Sequence, residues 1–157
     1  MSYMKQDASL KEFQALAEFR YLLRGYLNQT EEVCNAVKLE PQHYAVLLQL
    51  VGLPEGQLPT IGYVAKRLYL HHHSAVELID RMEKRNLIRR VRSIVDKRFV
   101  EVHVTPNAKA LLKRLVDHRI KQLTVLGPEF VRALGILVAR KNGKRAGAAN
   151  RKSDVAA

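Results

Sequence analysis

The densest chemistry in the chain lies in LHHHSAVELIDRMEKRNLIRRVRS, residues 70 to 93. It opens on three consecutive histidines, His71, His72 and His73, and continues into a cationic run. Between Arg81 and Arg98 eight basic residues stand against two acidic ones, Glu83 and Asp96. Histidines of this kind could hold a metal or touch a polyanion. A zinc site needs three or four ligands converging at about 2.0 to 2.1 Å, whereas neighbouring positions on a helix point roughly 100° apart. The triplet is thus better read as the entry of a helix that meets phosphates or base edges, and no metal is assigned. His103 and His118 have no local partner in the sequence and take surface or structural roles.

Candidates for catalysis are few. Cys34 is the single cysteine, has no basic neighbour in sequence to stabilise a thiolate, and reads as packing rather than as a sensor. A glycine-rich phosphate loop, a nucleophile motif and a convincing pair of catalytic carboxylates are all lacking. The expectation is a protein that binds, not an enzyme, with no cofactor.

The whole composition agrees. Lys and Arg outnumber Asp and Glu by 27 to 15, for a net charge of +12 and a pI near 10.1. That balance suits a chain that meets nucleic acid or another polyanion. No apolar run approaches the roughly 20 residues of a membrane span, and a secretory leader is not evident. A cytoplasmic protein with no membrane partner is expected. The first segment differs in charge: between Ser9 and Glu40 four basic residues face five acidic ones.

The elements that must position these residues follow from periodicity and punctuation. Residues 9 to 38 form one long helix, apolar on more than one side (Leu10, Phe13, Leu16, Leu23, Leu27), with room for a bend at Gly25. Such a helix packs against two things, the second of them another subunit. Pro41 starts a helix that Gly52 ends. Thr60 caps a short helix through Ile61, Val64, Ala65 and Leu68. The helix after the histidines places Ala75, Val76, Ile79, Met82 and Glu83 on one side. Ser74, Glu77, Arg81, Lys84 and Arg85 face the other, with His73 and Leu78 at the borders. Asn86 suits the left-handed residue that closes it. Two short strands around a charged loop come next, the second alternating Val100, Val102 and Val104 with Glu101 and His103. Thr105 and Pro106 cap a helix to about 126, Gly127 and Pro128 interrupt it, and a last helix reaches about 139. Residues 141 to 157 carry five basic residues against Asp154 and read as a flexible basic tail.

Two short helices in tandem followed by a basic hairpin make a winged helix-turn-helix. The second helix of such a unit enters the major groove, roughly 12 Å wide, and the hairpin meets phosphates or the minor groove. The stretch VAKRLYLHHHSAVELIDRMEKRNLIRRVRSIVDKRFVEVHVT resembles the MarR family of bacterial transcription regulators, through the helix pair, the Asp96-x-Arg98 of the wing and the following Val104-Thr105. Asn86 and Ala108 stand where the family usually has glycine. The resemblance covers residues 1 to 140 as one domain, with dimerisation helices over about 9–38 and 106–140 and the winged helix-turn-helix over about 41–105.

The fold expected is mostly α with a small β-hairpin wing. The resemblance implies a homodimer that binds double-stranded DNA at a pseudo-palindromic operator, represses transcription, and is released by a small aromatic effector. It also implies that Arg98 enters the minor groove and that Asp96 steadies the wing arginines. The DNA-binding set is His72, His73, Ser74, Glu77, Arg81, Lys84, Arg85, Arg92, Lys97 and Arg98. Glu77 either accepts from a cytosine amino group or pairs with Arg81 four residues on, the pairing being preferred. Tyr21, Tyr26 and Tyr44 are the candidates for an effector pocket, against the plainer reading that they pack a core. The alternative is a non-specific basic architectural protein bound to DNA or RNA through its tail.

Overall fold

A computed structural model describes residues 8–150 of the chain. Helix α1, Leu10–Ala36, begins at a capping box. The Glu12 amide donates to the Ser9 hydroxyl at 3.3 Å, and the Ser9 amide donates to the Glu12 carboxylate at 2.7 Å, so two of the helix's orphan donors are satisfied. The chain reverses through Lys38 at φ 56° into α2, Pro41–Val51, whose first-turn proline needs no amide partner. Helix α3, Ile61–Leu68, starts where the Thr60 hydroxyl accepts from the Tyr63 amide at 3.1 Å. Helix α4, His72–Lys84, follows an N-cap at His71 and closes at Asn86, φ 55°. The Leu87 amide there donates to the Met82 carbonyl at 3.0 Å, a Schellman closure.

Strands β1, Ile88–Arg92, and β2, Val100–Val104, pair antiparallel with Arg90 opposite Val102. The hairpin gains a third partner at its edge, since the Val102 amide donates to Pro59 O at 2.7 Å and Thr60 bridges Glu101. Helix α5, Pro106–Asn150, completes the order.

Three features of α5 differ from the sequence expectation. Helix α5 runs unbroken through Pro128. Proline removes one helical hydrogen bond and its ring crowds the Cβ of the residue before it; that residue is Gly127, which has none. Residues 141–150, expected as flexible tail, continue this helix; 151–157 lie outside the described residues. A stretch of α5 within Pro106–Ala139 is also long and apolar enough to cross a membrane by length and composition, where no such run was expected, because a glycine, a proline and isolated polar residues hide its continuity.

The chain divides into two compact units. Helix α5 has 45 residues, about 65–70 Å of axis, and no single core of this chain's size can cover that length. The first unit comprises residues 1–29 and 121–157. Its described part is a helix pair in which Ala15, Leu22 and Ala133 are buried and the Phe19 and Phe130 rings meet edge to face at 5.9 Å. Most of its large apolar side chains remain exposed, among them Phe13, Leu16, Val131 and Val138. The second unit, Thr30–Ile120, holds the main core, where Leu47, Val64, Ile79, Met82, Ile88 and Val102 meet. Leu78, placed at a border by the helical wheel, is 1% exposed and belongs to that core. Leu78 is three residues from Ala75 and four from Met82, so it sits on their stripe.

Thr105 links the end of the hairpin to the end of α4. Its hydroxyl donates to Asn86 O at 2.9 Å and accepts from the Ala108 amide at 3.3 Å at the start of α5. Thr105→Val keeps the shape and loses both bonds. The expected cost is about 1–2 kcal/mol, read as a lower denaturant midpoint with an unchanged slope.

Candidate nucleic-acid interface

Four buried residues of α4, Ala75, Leu78, Ile79 and Met82, fall at i, i+3, i+4 and i+7. This stripe fastens the helix to the core and sends the opposite ridge outward. His73, Glu77, Arg81 and Lys84 lie along that ridge and are exposed, with His72 beside it, while Ser74 is half-buried. The His71 and His73 rings stack at 5.7 Å and 8°. Among the described residues no group of three or more histidine, cysteine or carboxylate side chains is placed to hold a metal.

The cations divide into those that build and those that face out. Arg90 is half-buried between two carboxylates. Its Nη1 donates to Glu83 at 2.5 Å, its Nη2 to Asp80 at 2.5 Å, and its amide to Glu83 at 2.9 Å. These bonds clamp β1 to α4, and the amide and guanidinium donors hold the Glu83 carboxyl below its ordinary range. Arg85 also builds. Its guanidinium donates to Lys38 O at 2.5 Å and to Glu40 at 3.3 Å, and lies 3.4 Å from His43 Nδ1. It ties the end of α4 to the turn before α2, through groups 42 to 47 residues away.

In the wing, Arg98 folds back onto Asp96, with Nη2 2.6 Å and Nε 3.0 Å from the carboxylate. The Arg98 amide adds a third bond at 3.0 Å. Together the three keep the Asp96 carboxyl below its usual value, the side-chain bonds contributing most. Arg92 and Lys97 are exposed beside this pair. Among the described residues no ion pair joins Glu77 to Arg81, so the preferred i,i+4 pairing is absent; both residues are exposed, where such a pair gains little.

Several partners were not read from the sequence. His103 Nε2 lies 2.9 Å from Glu101 on the same face of β2, and Glu101 is lowered by a bond from the Ser93 hydroxyl first and by His103 next. Tyr69, between α3 and α4, is in the left-handed conformation at φ 54° and 97% exposed. A tyrosine there costs roughly 1–2 kcal/mol relative to a relaxed backbone, and the absence of glycine left the turn unmarked. The three tyrosines proposed for an effector do not form one site within either unit. Tyr21 and Tyr26 fall in the first and Tyr44 in the second; Tyr21 is exposed and Tyr44 is buried in the core. Cys34 is buried there too, and burial raises its thiol despite the opposing charge of Arg119.

His43 couples this architecture to pH. It is fully buried, with Nε2 3.5 Å from Glu40 and Nδ1 facing the Arg85 guanidinium. Burial lowers its pKa, Glu40 opposes, and Arg85 and Arg81 lower it further. A histidine depressed in the fold stabilises it while neutral, so this contribution is complete above the ordinary value near 6.5 and is lost as pH falls toward the folded-state value. The thermal midpoint is expected to drop as pH falls below about 6.5, and His43→Gln to flatten that slope. An equal slope in the variant would contradict the assignment.

The sequence pattern described as MarR family matches residues 38–98, the whole of α2 through the wing tip. A curated relative, an uncharacterised HTH-type transcriptional regulator, YsmB, of Bacillus subtilis (strain 168), is 29% identical over 99 residues, 63% of this chain and 66% of that protein. A MarR family protein from Bacillus stearothermophilus superposes with a TM-score of 0.63 at 22% identity, over 91% of this chain and 99% of the other. A mutant of MepR from S. aureus, bound to an oligodeoxyribonucleotide, superposes with a TM-score of 0.57 at 15% identity, over 83% and 94%.

Proposed function

We propose that the chain, similar to the MarR family over residues 38–98, is a DNA-binding transcriptional regulator of that family, a sequence-specific repressor acting as a homodimer on a pseudo-palindromic operator. One observation carries the reading: an outward ridge of His73, Glu77, Arg81 and Lys84 is backed by a four-residue core stripe and clamped to a basic hairpin through Arg90. A ridge of that kind enters a major groove as a rigid piece.

Roles follow from chemistry. Arg81 is the donor fork for guanine O6 and N7, and Glu77, free of Arg81, is the acceptor for a cytosine amino group. His72, His73 and Ser74 stand at the helix N-terminus, where donors meet phosphate. Lys84, Arg92 and Lys97 add phosphate contacts, and Arg98 reaches the minor groove by exchanging Asp96 for the negative potential there. Arg85 positions the helix from behind.

Homodimerisation is supported by the first unit. Two helices cannot bury all their own apolar surface, and little of the stretch of α5 that meets the length and composition of a membrane span is buried in the single chain. A second copy covers it better than lipid does, because α1 alongside carries Lys11, Glu12, Glu18, Arg20 and Arg24. The working place of such a regulator is the cytoplasm. Release by a small aromatic effector is proposed with it, on Tyr44 or on Tyr21 and Tyr26.

Selection of bound duplexes from a randomised pool tests the reading. It predicts two inverted half-sites with centres about 10 bp apart; recovery of no common sequence would contradict it. The net charge of +12 favours a second reading, non-specific packaging of nucleic acid through residues 141–157. Replacing the five basic residues there with glutamine separates the two, since specific binding survives only under the first.

A further inference from the structure

The wing tip carries side chains for which phosphate contact has no use. Ile94 and Val95 are 93% and 82% exposed, at a place where hairpin loops ordinarily set glycine, asparagine, aspartate or proline. The loop around them is held firmly. The Ser93 amide donates to Phe99 O at 3.0 Å, the Phe99 amide to Asp96 O at 3.0 Å, and the Asp96 amide to the Ser93 hydroxyl at 3.2 Å. Ser93 is buried beneath the tip. Arg98 is held on Asp96 and lies 5.9 Å over the Phe99 ring. Two aliphatic side chains thus project from a fixed loop, with the exposed cations Arg92 and Lys97 on either side.

That arrangement matches a surface that is apolar within and anionic at its rims. The minor groove has this character, with sugar C–H walls between two rows of phosphates and a width of roughly 6 Å that admits a side chain but not a helix. Branched aliphatics placed there part a base step and bend the duplex. The cations fit the rims, and the aliphatic pair fits the interior.

We propose that Ile94 and Val95 form an apolar insert that enters the minor groove and bends the operator at the step beneath the wing. The inference rests on the proposed DNA binding and adds to it a source of selectivity. Steps that unstack easily, such as TA and CA, are preferred under the wing without any hydrogen bond to a base.

The test uses a duplex recovered by the wild-type protein from a randomised pool and labelled at its two ends with a fluorescence-transfer pair. Ile94→Ser/Val95→Ser is expected to bind at least about tenfold more weakly and to hold the duplex straighter than the wild type does. Its slope of log affinity against log salt should be unchanged, because no phosphate contact is lost. Its thermal midpoint should match the wild type, both positions being exposed, and Ile94→Val/Val95→Ile should retain affinity and bend.

A serine variant with wild-type affinity and wild-type bend would overturn the insert while leaving DNA binding intact. A loss of affinity with a shallower salt slope would overturn it as well, placing the tip on phosphates. So would an altered oligomeric state, which would make the tip a protein contact, or a wild-type complex as straight as free duplex. Should the wild type recover no duplex at all, the proposed function fails first and the insert with it.

Discussion

Val131→Asp/Val138→Asp is expected to convert the protein to a monomer and to weaken operator binding by about 10²–10⁴-fold. The two valines are one helical face of α5, seven residues apart, and are 71% and 59% exposed in the single chain, so the substitution leaves the helix pair of the first unit intact. What it removes is the apolar surface proposed to meet a second copy, by placing a charge where desolvation is most costly. The effect on DNA arises through avidity. Two winged domains tied together make the second half-site an intramolecular event, and untying them forfeits the whole effective-concentration gain. Sedimentation equilibrium gives the mass and anisotropy the affinity. A variant that stays dimeric would move the interface elsewhere, and a monomer that binds the operator as tightly as the wild type would remove the need for two-fold symmetry.

Arg81→Ala is the second large effect. A bidentate arginine contributes about 1–3 kcal/mol of discrimination per contact, and a symmetric complex loses it twice, so specific affinity should fall by about 30-fold to 10⁴-fold. Binding to unrelated duplex, which depends on phosphate neutralisation, should weaken far less. Arg81 makes no ion pair among the described residues, so its removal leaves no orphaned partner and the melting temperature should hold. The contrast with Arg90 is informative. Arg90→Ala strands Asp80 and Glu83, and its loss of binding should come with a loss of stability.

That contrast also marks what could be read from the sequence. The helix pair was legible because its limits are written in single residues: Pro41 and Gly52 around α2, Thr60 before α3, Asn86 after α4. Each has a local conformational reason. The hairpin was legible from its alternation, and the same alternation held more than was taken from it, since Glu101 and His103, two apart, share a face and pair there. The function of individual arginines was hidden. Arg81, Arg85 and Arg90 look alike in a cationic run, and only the approach of Lys38 O, Glu40 and Asp80 distinguishes the two that build from the one that faces out. Helix α5 was divided because Gly127-Pro128 reads as a stop, although a glycine before the proline offers its ring no Cβ to meet. Tyr69 gave no signal, as its strained turn depends on how α3 and α4 dock.

The most direct measurement is a titration of the wild-type protein against its selected duplex and a scrambled duplex of the same composition, repeated at salt concentrations from about 50 to 200 mM. The account predicts two chains per selected duplex, at least about 10³-fold preference over the scrambled one, and affinity falling steeply with salt as each phosphate contact releases counterion. Equal affinity for both duplexes, or binding indifferent to salt, would contradict it.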